Sequence, residues 1–313
     1  MYHLELMKPF RAAVIQAGPT LFNKKATLAK ADALMEEAAA KGAQLVVFPE
    51  AFISAYPKGL DFGARLGWRT SEGRQWFRRY WESSVDVPGE DTVALGEMAA
   101  RYKLFVVIGV IERDGGTLYC TALYFGPTGA LLGKHRKVMP TALERLVWGF
   151  GDGSTLKVMD TELGKIGAVI CWENYMPMLR TAMYAQGVEI YCAPTVDDRA
   201  SWVPAMQHIA MEGRCYVLSA AQHLTGHDLP EDYPVKLAGE IIRGGSMIVN
   251  PFGVILAGPC YEQDAILTAD LDPAAILEGK YDLDVTGHYA RPDIFRLDVN
   301  TRPAPAVHFE ETD

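Results

Sequence analysis

The sequence lacks the features of a nucleic-acid-binding protein and of a membrane protein. Its 313 residues include 30 Lys or Arg and 39 Asp or Glu, which gives a formal net charge of −9. A nucleic-acid-binding protein needs a basic surface that neutralises phosphates, so we expect no such partner. No apolar run is long enough to cross a bilayer, and residues 1–16 lack the successive parts of a secretory signal. We therefore expect a cytoplasmic protein that does not enter membranes.

The sequence also has few cysteines, and their spacing is irregular. The five are Cys120, Cys171, Cys192, Cys215 and Cys260. An odd number without CxxC spacing predicts reduced thiols and argues against a disulfide framework or a zinc site. His223 and His227 have i,i+4 spacing, but Gly226 and Pro230 disfavour a helix there, so we expect loop residues and no metal site.

The remaining composition, 49% hydrophobic and 22% charged, is typical of a globular enzyme. Residues 23–40 predict an amphipathic helix with Leu28, Ala31, Met35 and Ala38 on its apolar stripe. The other predicted helices are residues 72–82, 92–102, 177–186, 200–212 and 273–279. The predicted strands are residues 10–16, 44–48, 104–111, 118–125, 130–135, 165–170, 188–192, 216–221, 246–250, 253–256 and 265–269.

This alternation of strands and helices predicts an α/β protein. Hairpin-like pairs flank the turn sequences GPTG and NPFG, and a purely parallel sheet would not need them. One mixed sheet, or two mixed sheets packed together with helices outside, accommodates them better. The sequence contains no internal repeat or linker, so we expect one domain over residues 1–313, with an extended tail from about residue 302.

Chemically reactive side chains follow three of the predicted strands. Cys171 comes directly after KIGAVI, Glu50 follows LVVFP, and Lys137 lies just past residues 130–135. Reacting groups gather at the carboxyl ends of strands in α/β folds. Each residue also has a plainer interpretation: Cys171 as a core residue, Glu50 as a helix cap or ion pair, and Lys137 as part of a solvated edge with Lys134 and Arg136.

These residues, with Glu144 in PTALER, form a set that suits nucleophilic catalysis. Attack by a thiolate needs a base to accept the proton and a cation to receive the developing negative charge. The sequence offers no Cys-His arrangement of comparable quality. Cys120, Cys192 and Cys215 lie in or beside apolar strand patterns, and we expect them in the core.

Three segments resemble the signature regions of the nitrilase family: LVVFPEAFISAYPKG, GKHRKVMPTALERLVWGFGDGS and GAVICWENYMP. They occur in the family's order, and further similarity extends over nearly the whole chain. The resemblance implies a four-layer αββα sandwich of two mixed sheets flanked by helices. It also implies that Cys171 is the nucleophile, Glu50 the general base and Lys137 the catalytic lysine, with Glu144 as a second glutamate that positions the lysine.

The run CWEN is typical of true nitrilases, which convert a nitrile to a carboxylic acid and ammonia without a metal or an organic cofactor. The resemblance thus implies a small-molecule nitrile as substrate and a homo-oligomer, a dimer or higher. We expect the backbone N–H of Trp172 to be a second donor to the developing anion. Tyr56, Thr195 and Trp202 are candidate substrate-binding residues, with core packing as the alternative for Trp202.

Two other functions stay open. An amidase or carbamoylase of the same superfamily would use the same cysteine, lysine and glutamates. A catalytically silent binding protein could share the fold, although all four catalytic positions are intact.

Overall fold

The computed structural model describes residues 8–307, which contain sixteen strands and six helices. The strands are β1 (Phe10–Gln16), β2 (Leu45–Val47), β3 (Ala64–Arg65), β4 (Trp68–Arg69), β5 (Val85–Asp86), β6 (Phe105–Asp114), β7 (Thr117–Phe125), β8 (Leu131–Arg136), β9 (Met159–Thr161), β10 (Gly164–Ala168), β11 (Ile190–Cys192), β12 (Tyr216–Ser219), β13 (His223–Thr225), β14 (Glu240–Val249), β15 (Ile255–Tyr261) and β16 (Ala265–Leu271). The helices are α1 (Lys24–Ala40), α2 (Ser71–Glu82), α3 (Glu90–Tyr102), α4 (Pro177–Ala185), α5 (Trp202–Gly213) and α6 (Ala274–Asp282).

The strands form two large mixed sheets, as the hairpin-like sequence patterns predicted. The first has the order β16-β1-β2-β6-β7-β8 with β5 beside β6, and the second has the order β13-β14-β12-β11-β10-β9 with β15 beside β14. Strands β1, β2 and β6 are parallel, whereas β7 is antiparallel to both β6 and β8. Two antiparallel steps make β8 run in the same direction as β2, so both end at the same edge of the sheet.

Three hydrophobic clusters separate four layers. One lies between the two sheets, one between the first sheet and helices α1 and α3, and one between the second sheet and helices α4 and α5. In β1, Ala12 and Val14 belong to the cluster between the sheets, while Ala13 and Ile15 belong to the cluster under the helices. Both faces of the strand are covered, and its sequence is therefore almost continuously apolar. The α/β class and the αββα layering are confirmed.

The predicted helices agree with the structure to within a few residues, because capping and amphipathic patterns mark their ends. Asn23, for example, caps α1 by accepting a hydrogen bond from Ala26 N at 3.1 Å. No helix in the described part of the chain has the length and apolar character of a membrane span.

Some strand predictions were wrong. The strand predicted at residues 246–250 begins at Glu240, because Gly244 and Gly245 have positive φ angles and accompany a register shift that breaks the sequence pattern. The short strands β3, β4, β5, β9 and β13 were missed, since two or three residues show no periodicity. His223 lies in β13 and His227 in a 3₁₀ helix (Gly226–Asp228), where a loop was predicted.

The structure describes residues 302–307 of the predicted C-terminal tail. Residues 302–307 form neither helix nor strand and are exposed. Ala304 N donates to Asp152 Oδ2 at 2.8 Å, which ties this segment to the body of the protein. Residues 308–313, and residues 1–7 of the segment examined for a secretory signal, lie outside the described residues.

We predict that Gly109→Ala destabilises the protein. A Cβ at this position of β6 would lie 2.3 Å from Pro49 O and 2.6 Å from Ala51 N, and backbone atoms cannot move aside as a flexible side chain can. Overpacking of this kind costs about 1–3 kcal/mol. The midpoint of urea unfolding measures the loss. The control is Gly116→Ala, where a Cβ meets nothing within 4 Å; equal shifts in the two variants would contradict the prediction.

Candidate active site

The side chains of Glu50, Lys137 and Glu144 meet inside the protein. Lys137 Nζ donates to Glu50 Oε1 at 2.7 Å and to Glu144 Oε2 at 2.8 Å. The side chains of Lys137 and Glu50 are both 0% exposed and that of Glu144 is 9% exposed. Buried charges are stable only when paired and hydrogen-bonded. This pairing shows that Lys137 is not part of the solvated edge that was the plainer interpretation.

The fold fixes Glu50 through its backbone. Glu50 follows β2 and a proline, and Gln222 Nε2, from the segment between β12 and β13 of the second sheet, donates to its carbonyl oxygen at 2.7 Å. Cys120 of β7 lies on its other side, with Sγ 3.5 Å from Glu50 Oε1. Glu50 Oε2 is buried and has no hydrogen-bond partner among the described residues. This oxygen therefore keeps an unused hydrogen-bond acceptor.

Hydrogen bonds to neighbouring segments fix the positions of Lys137 and Glu144. Lys137 N donates to Cys120 O at 2.8 Å, which continues the β7–β8 pairing past the end of β8. Glu144 lies in a 3₁₀ helix (Ala142–Leu146), where its Oε2 also accepts from Thr141 N at 2.6 Å. Its Oε1 accepts from the Tyr56 hydroxyl at 2.9 Å. Glu144 thus has a donor on each oxygen besides the lysine, which fixes its orientation.

Cys171 occupies a strained turn at the edge of the second sheet. Its φ angle is +51°, an uncommon value for a non-glycine residue, and it begins a 3₁₀ helix (Cys171–Tyr175). Such backbone strain costs of order 1–3 kcal/mol and concentrates at functional sites. Cys171 N donates to Pro194 O at 2.9 Å, and the Thr195 hydroxyl donates to Cys171 Sγ at 3.2 Å. The backbone N–H of Trp172 has no acceptor among residues 8–307.

The electrostatic environment keeps the thiol protonated in the resting protein. Burial and the charge of Glu50 raise the pKa of Cys171, and Lys137 lowers it only in part. Burial also raises the pKa of Glu50 above its ordinary value, against the opposing charge of Lys137. Burial by itself lowers the pKa of Lys137, but the charges of Glu50 and its other neighbours raise it well above the ordinary value. A carboxyl group, a thiol and a lysine, each with a raised pKa, therefore lie together.

A cavity of about 450 Å³ lies beside this cluster; Cys171 and Glu144 are in its wall, whereas Glu50 and Lys137 do not line it. Its lining includes Cys171, Glu144 and Tyr56, together with the indoles of Trp148 and Trp172. Trp172 is 40% exposed, and its Nε1 donates to Asp197 Oδ2 at 2.9 Å, which fixes the indole as one wall. A mainly apolar cavity with a few convergent polar groups suits a small organic substrate.

Two of the three predicted substrate-binding residues are not in the cavity wall. Thr195 is 0% exposed and lies under Cys171, where its hydroxyl contacts the sulfur. Trp202 is 1% exposed, belongs to the cluster under α4 and α5, and donates from Nε1 to Ser219 Oγ at 2.9 Å. This position corrects the prediction of a substrate contact for Trp202, because the apolar stripe of α5 turns it into the core. Tyr56 does line the cavity.

Three residues of the site were not predicted from the sequence. Cys120 was assigned to the core alone, yet it contacts Glu50. Trp148 faces the lysine, with Lys137 Nζ 5.5 Å from its ring centre, and Asp197 orients Trp172. Trp148 and Asp197 belong to segments that carry the family resemblance, and their position in those segments could have identified them as candidate site residues. Within residues 8–307, no group of three or more His, Cys, Asp or Glu side chains is placed to hold a metal ion.

Comparison with known proteins gives similar proteins over nearly the whole chain. Residues 11–281 match the carbon-nitrogen hydrolase family. The chain is 56% identical to a nitrilase from Bradyrhizobium diazoefficiens, over 95% of this chain and 94% of that protein. It is 54% identical to a bifunctional nitrilase/nitrile hydratase from Nicotiana tabacum, over 96% of this chain and 89% of that protein.

Among solved structures, a carbon-nitrogen hydrolase from Helicobacter pylori shares the fold. It superposes with a TM-score of 0.73 at 21% identity, over 92% of this chain and 97% of that one. The resemblance to nitrilases that the three sequence segments indicated is confirmed over nearly the full chain, and the protein belongs to the carbon-nitrogen hydrolase family.

Proposed function

We propose that this protein is a nitrilase, which hydrolyses an organic nitrile to a carboxylic acid and ammonia with Cys171 as nucleophile. The proposal rests on one observation: the buried Lys137 ammonium lies between two carboxylates. Beside it, Cys171 has a strained backbone and lines a cavity large enough for a small organic molecule. The names of the relatives from Bradyrhizobium diazoefficiens and Nicotiana tabacum support the same activity.

In the first step Glu50 accepts the thiol proton, and Cys171 Sγ attacks the nitrile carbon. One π bond between carbon and nitrogen breaks, a carbon–sulfur bond forms, and the nitrogen is protonated to give a thioimidate. The raised pKa of the Cys171 thiol makes the base necessary, because little thiolate exists without it. Lys137 and the free backbone N–H of Trp172 stabilise the charge that develops on nitrogen.

In the second step water adds to the thioimidate, with Glu50 again as the base. The tetrahedral product carries sulfur, nitrogen and oxygen on one carbon. Loss of ammonia leaves a thioester, and a second water hydrolyses it to the acid, whereas loss of the thiol releases the amide. Lys137 and Glu144 control whether ammonia or the thiol leaves, because they determine whether the nitrogen is protonated. A protonated amine is the better leaving group. We therefore propose that some amide accompanies the acid.

An amidase or a carbamoylase would use the same four side chains. The relatives named as nitrilases support nitrile hydrolysis over this alternative. A catalytically silent protein on this fold would have no need of a strained cysteine beside a buried ion cluster, so we do not propose it.

We also propose that the enzyme is cytoplasmic and forms a homo-oligomer, a dimer or higher. Large apolar side chains in the C-terminal segment support a subunit contact: Tyr289 is 62% exposed, Ile294 57% and Phe295 76%. Light scattering coupled to gel filtration measures the oligomeric state, and a monomer at all concentrations would contradict this part of the proposal.

We predict that nitriles are converted mainly to acids and that the matching free amides are poor substrates. A nitrile is linear, whereas an amide is planar and brings a second heteroatom that must also fit beside the cysteine. The wall formed by Trp172 leaves more room for the slimmer group. Chromatography of a nitrile and its amide in parallel reactions gives both rates. If kcat/KM for the amide equals or exceeds that for the best nitrile of a panel, the enzyme is an amidase.

Lys137→Met is expected to lower kcat by roughly a hundred- to thousandfold, the effect of losing one donor to a developing anion. Lys134→Met is the matched control three residues earlier. Lys134 pairs with buried Glu112, but Arg136 also pairs with that carboxylate and remains in the control variant. Initial rates with one nitrile measure kcat for both variants. A similar decrease of kcat in the two would exclude a specific role for Lys137.

Glu144→Gln is expected to shift the pH profile of kcat/KM to lower pH as well as to lower the rate. The charge of Glu144 raises the pKa of Glu50 and that of Lys137, so its removal lowers both. The acidic limb, where Glu50 takes up a proton, and the basic limb, where Lys137 loses one, therefore both move down. Glu97→Gln on the exposed face of α3 removes the same charge far from the site. An unshifted profile in Glu144→Gln would contradict the prediction.

A further inference from the structure

One buried carboxylate, that of Glu173, connects the two halves of the active site. Glu173 is the third residue of CWEN and is 1% exposed. Its Oε1 accepts from Val138 N at 2.6 Å, and its Oε2 accepts from Ile170 N at 2.9 Å. Oε2 also lies 3.0 Å from His135 Nε2. His135 belongs to β8 of the first sheet and Val138 to the loop after it, whereas Ile170 lies in the segment that follows β10 of the second sheet.

The donors flank the reacting groups on both sides. His135 is two residues before Lys137, and Val138 is the residue after it. Ile170 immediately precedes Cys171, and Glu173 itself lies two residues after it. A shift of this carboxylate would therefore move the lysine and the nucleophile relative to each other.

His135 is buried in the same contact. Its side chain is 1% exposed, and its Nδ1 is buried with no partner among the described residues. Because Nε2 faces a carboxylate oxygen, we assign the tautomer with the proton on Nε2, which leaves Nδ1 as the atom without a partner. Among the described residues the ring therefore makes one hydrogen bond, which runs from β8 across the interior to Glu173.

The turn at Cys171 needs such support. A residue with a φ angle of +51° keeps that conformation only where its surroundings impose it. The bond from Ile170 N to Glu173 closes the turn from within, while His135 and Val138 N attach the carboxylate to the lysine segment.

We propose that Glu173 and His135 are positioning residues that hold Lys137 and Cys171 in register across the two sheets, and that this register sets the acid-to-amide ratio. The inference rests on the proposed nitrilase function. Both oxygens of Glu173 are occupied by backbone N–H groups and by His135 Nε2, so both residues act through the groups that they hold. After water addition, the lysine must reach the nitrogen for ammonia to leave; a displaced lysine favours loss of the thiol, and the amide fraction rises.

The product ratio separates positioning from a merely structural role. Acid and amide form from the same intermediate in each turnover, so a smaller population of folded enzyme lowers both equally and leaves the ratio unchanged. Only a change of geometry or protonation at the reacting carbon alters it.

The test compares His135→Leu with His135→Gln. Leucine is apolar and removes the donor, whereas the glutamine side chain can place an N–H near the position of Nε2. We expect His135→Leu to raise the amide fraction and to lower kcat by about ten- to hundredfold, a usual result of a small misplacement, with little change in KM. His135→Gln should return the amide fraction toward the wild-type value. Glu173→Gln, which turns an amide N–H₂ toward backbone donors, should behave as His135→Leu does.

Glu189→Gln is the matched control. Glu189 is another buried glutamate, 6% exposed, and accepts from Lys165 N at 2.9 Å at a distance from the cavity lining. Its replacement should lower the melting temperature without changing the product ratio. Wild-type kcat and amide fraction in His135→Leu, with only a lower melting temperature, would overturn the proposal, and so would an equal change of ratio in Glu189→Gln.

A second measurement does not depend on the nitrilase reaction. The rate of Cys171 alkylation by iodoacetamide, followed against pH in the absence of substrate, reports the position of the thiol relative to Lys137 and Glu50. We expect His135→Leu to displace this profile and His135→Gln to restore it. If the wild-type enzyme converts no nitrile, the proposed function fails, and the alkylation profiles still decide the inference: identical profiles would overturn it.

Discussion

The ammonium group of Lys137, enclosed by the carboxylates of Glu50 and Glu144, is the interaction on which the site depends. Removing charges from water costs several kcal/mol per ion, and only complete pairing offsets it. The loss of one partner from such a group costs about 3–5 kcal/mol, since it leaves an uncompensated charge. All three side chains must therefore be placed together, and the lysine remains protonated beside a neutral thiol.

The architecture supplies these groups from separate elements. Glu50 follows β2 and Lys137 follows β8, two strands that end at the same edge because two antiparallel steps restore the direction of β6. Cys171 follows β10 of the other sheet, so its thiol approaches the ion cluster from the opposite layer of the sandwich. The cavity opens along this junction, where loops from both sheets meet. Contacts that cross from one sheet to the other, through Gln222 and Glu173, thus matter as much as those within a sheet.

Much of this arrangement could be predicted from the sequence. Runs such as LVVFP and KIGAVI show where buried strands end, and the polar residue that follows each end is then a candidate for chemistry. Strand direction was enough to expect Glu50, Lys137 and Cys171 at sheet edges. Their convergence followed from the family resemblance, since the sequence alone does not state which edges face each other.

What could not be predicted depends on side-chain partners from distant segments. Cys120 has the pattern of a core residue, and its contact with Glu50 arises only when β7 lies beside the segment after β2. Trp202 and Trp172 are both aromatic residues in motif segments, yet helix α5 turns the first into the core while the 3₁₀ turn leaves the second in the cavity wall. The irregular β14 was mispredicted because its paired glycines disrupt the alternation on which strand prediction relies.

Mass spectrometry of the enzyme stopped by acid during turnover tests the central claim most directly. A nitrile attacked by Cys171 must leave a thioimidate or a thioester on that residue for part of each cycle. Attack by Cys171 predicts a mass increase equal to the nitrile, for the thioimidate, or to the acyl group less one hydrogen, for the thioester; the increase is located on the peptide that contains Cys171 and is absent from Cys171→Ala. Turnover of the nitrile with the adduct on another cysteine, or undiminished turnover by Cys171→Ala, would contradict it.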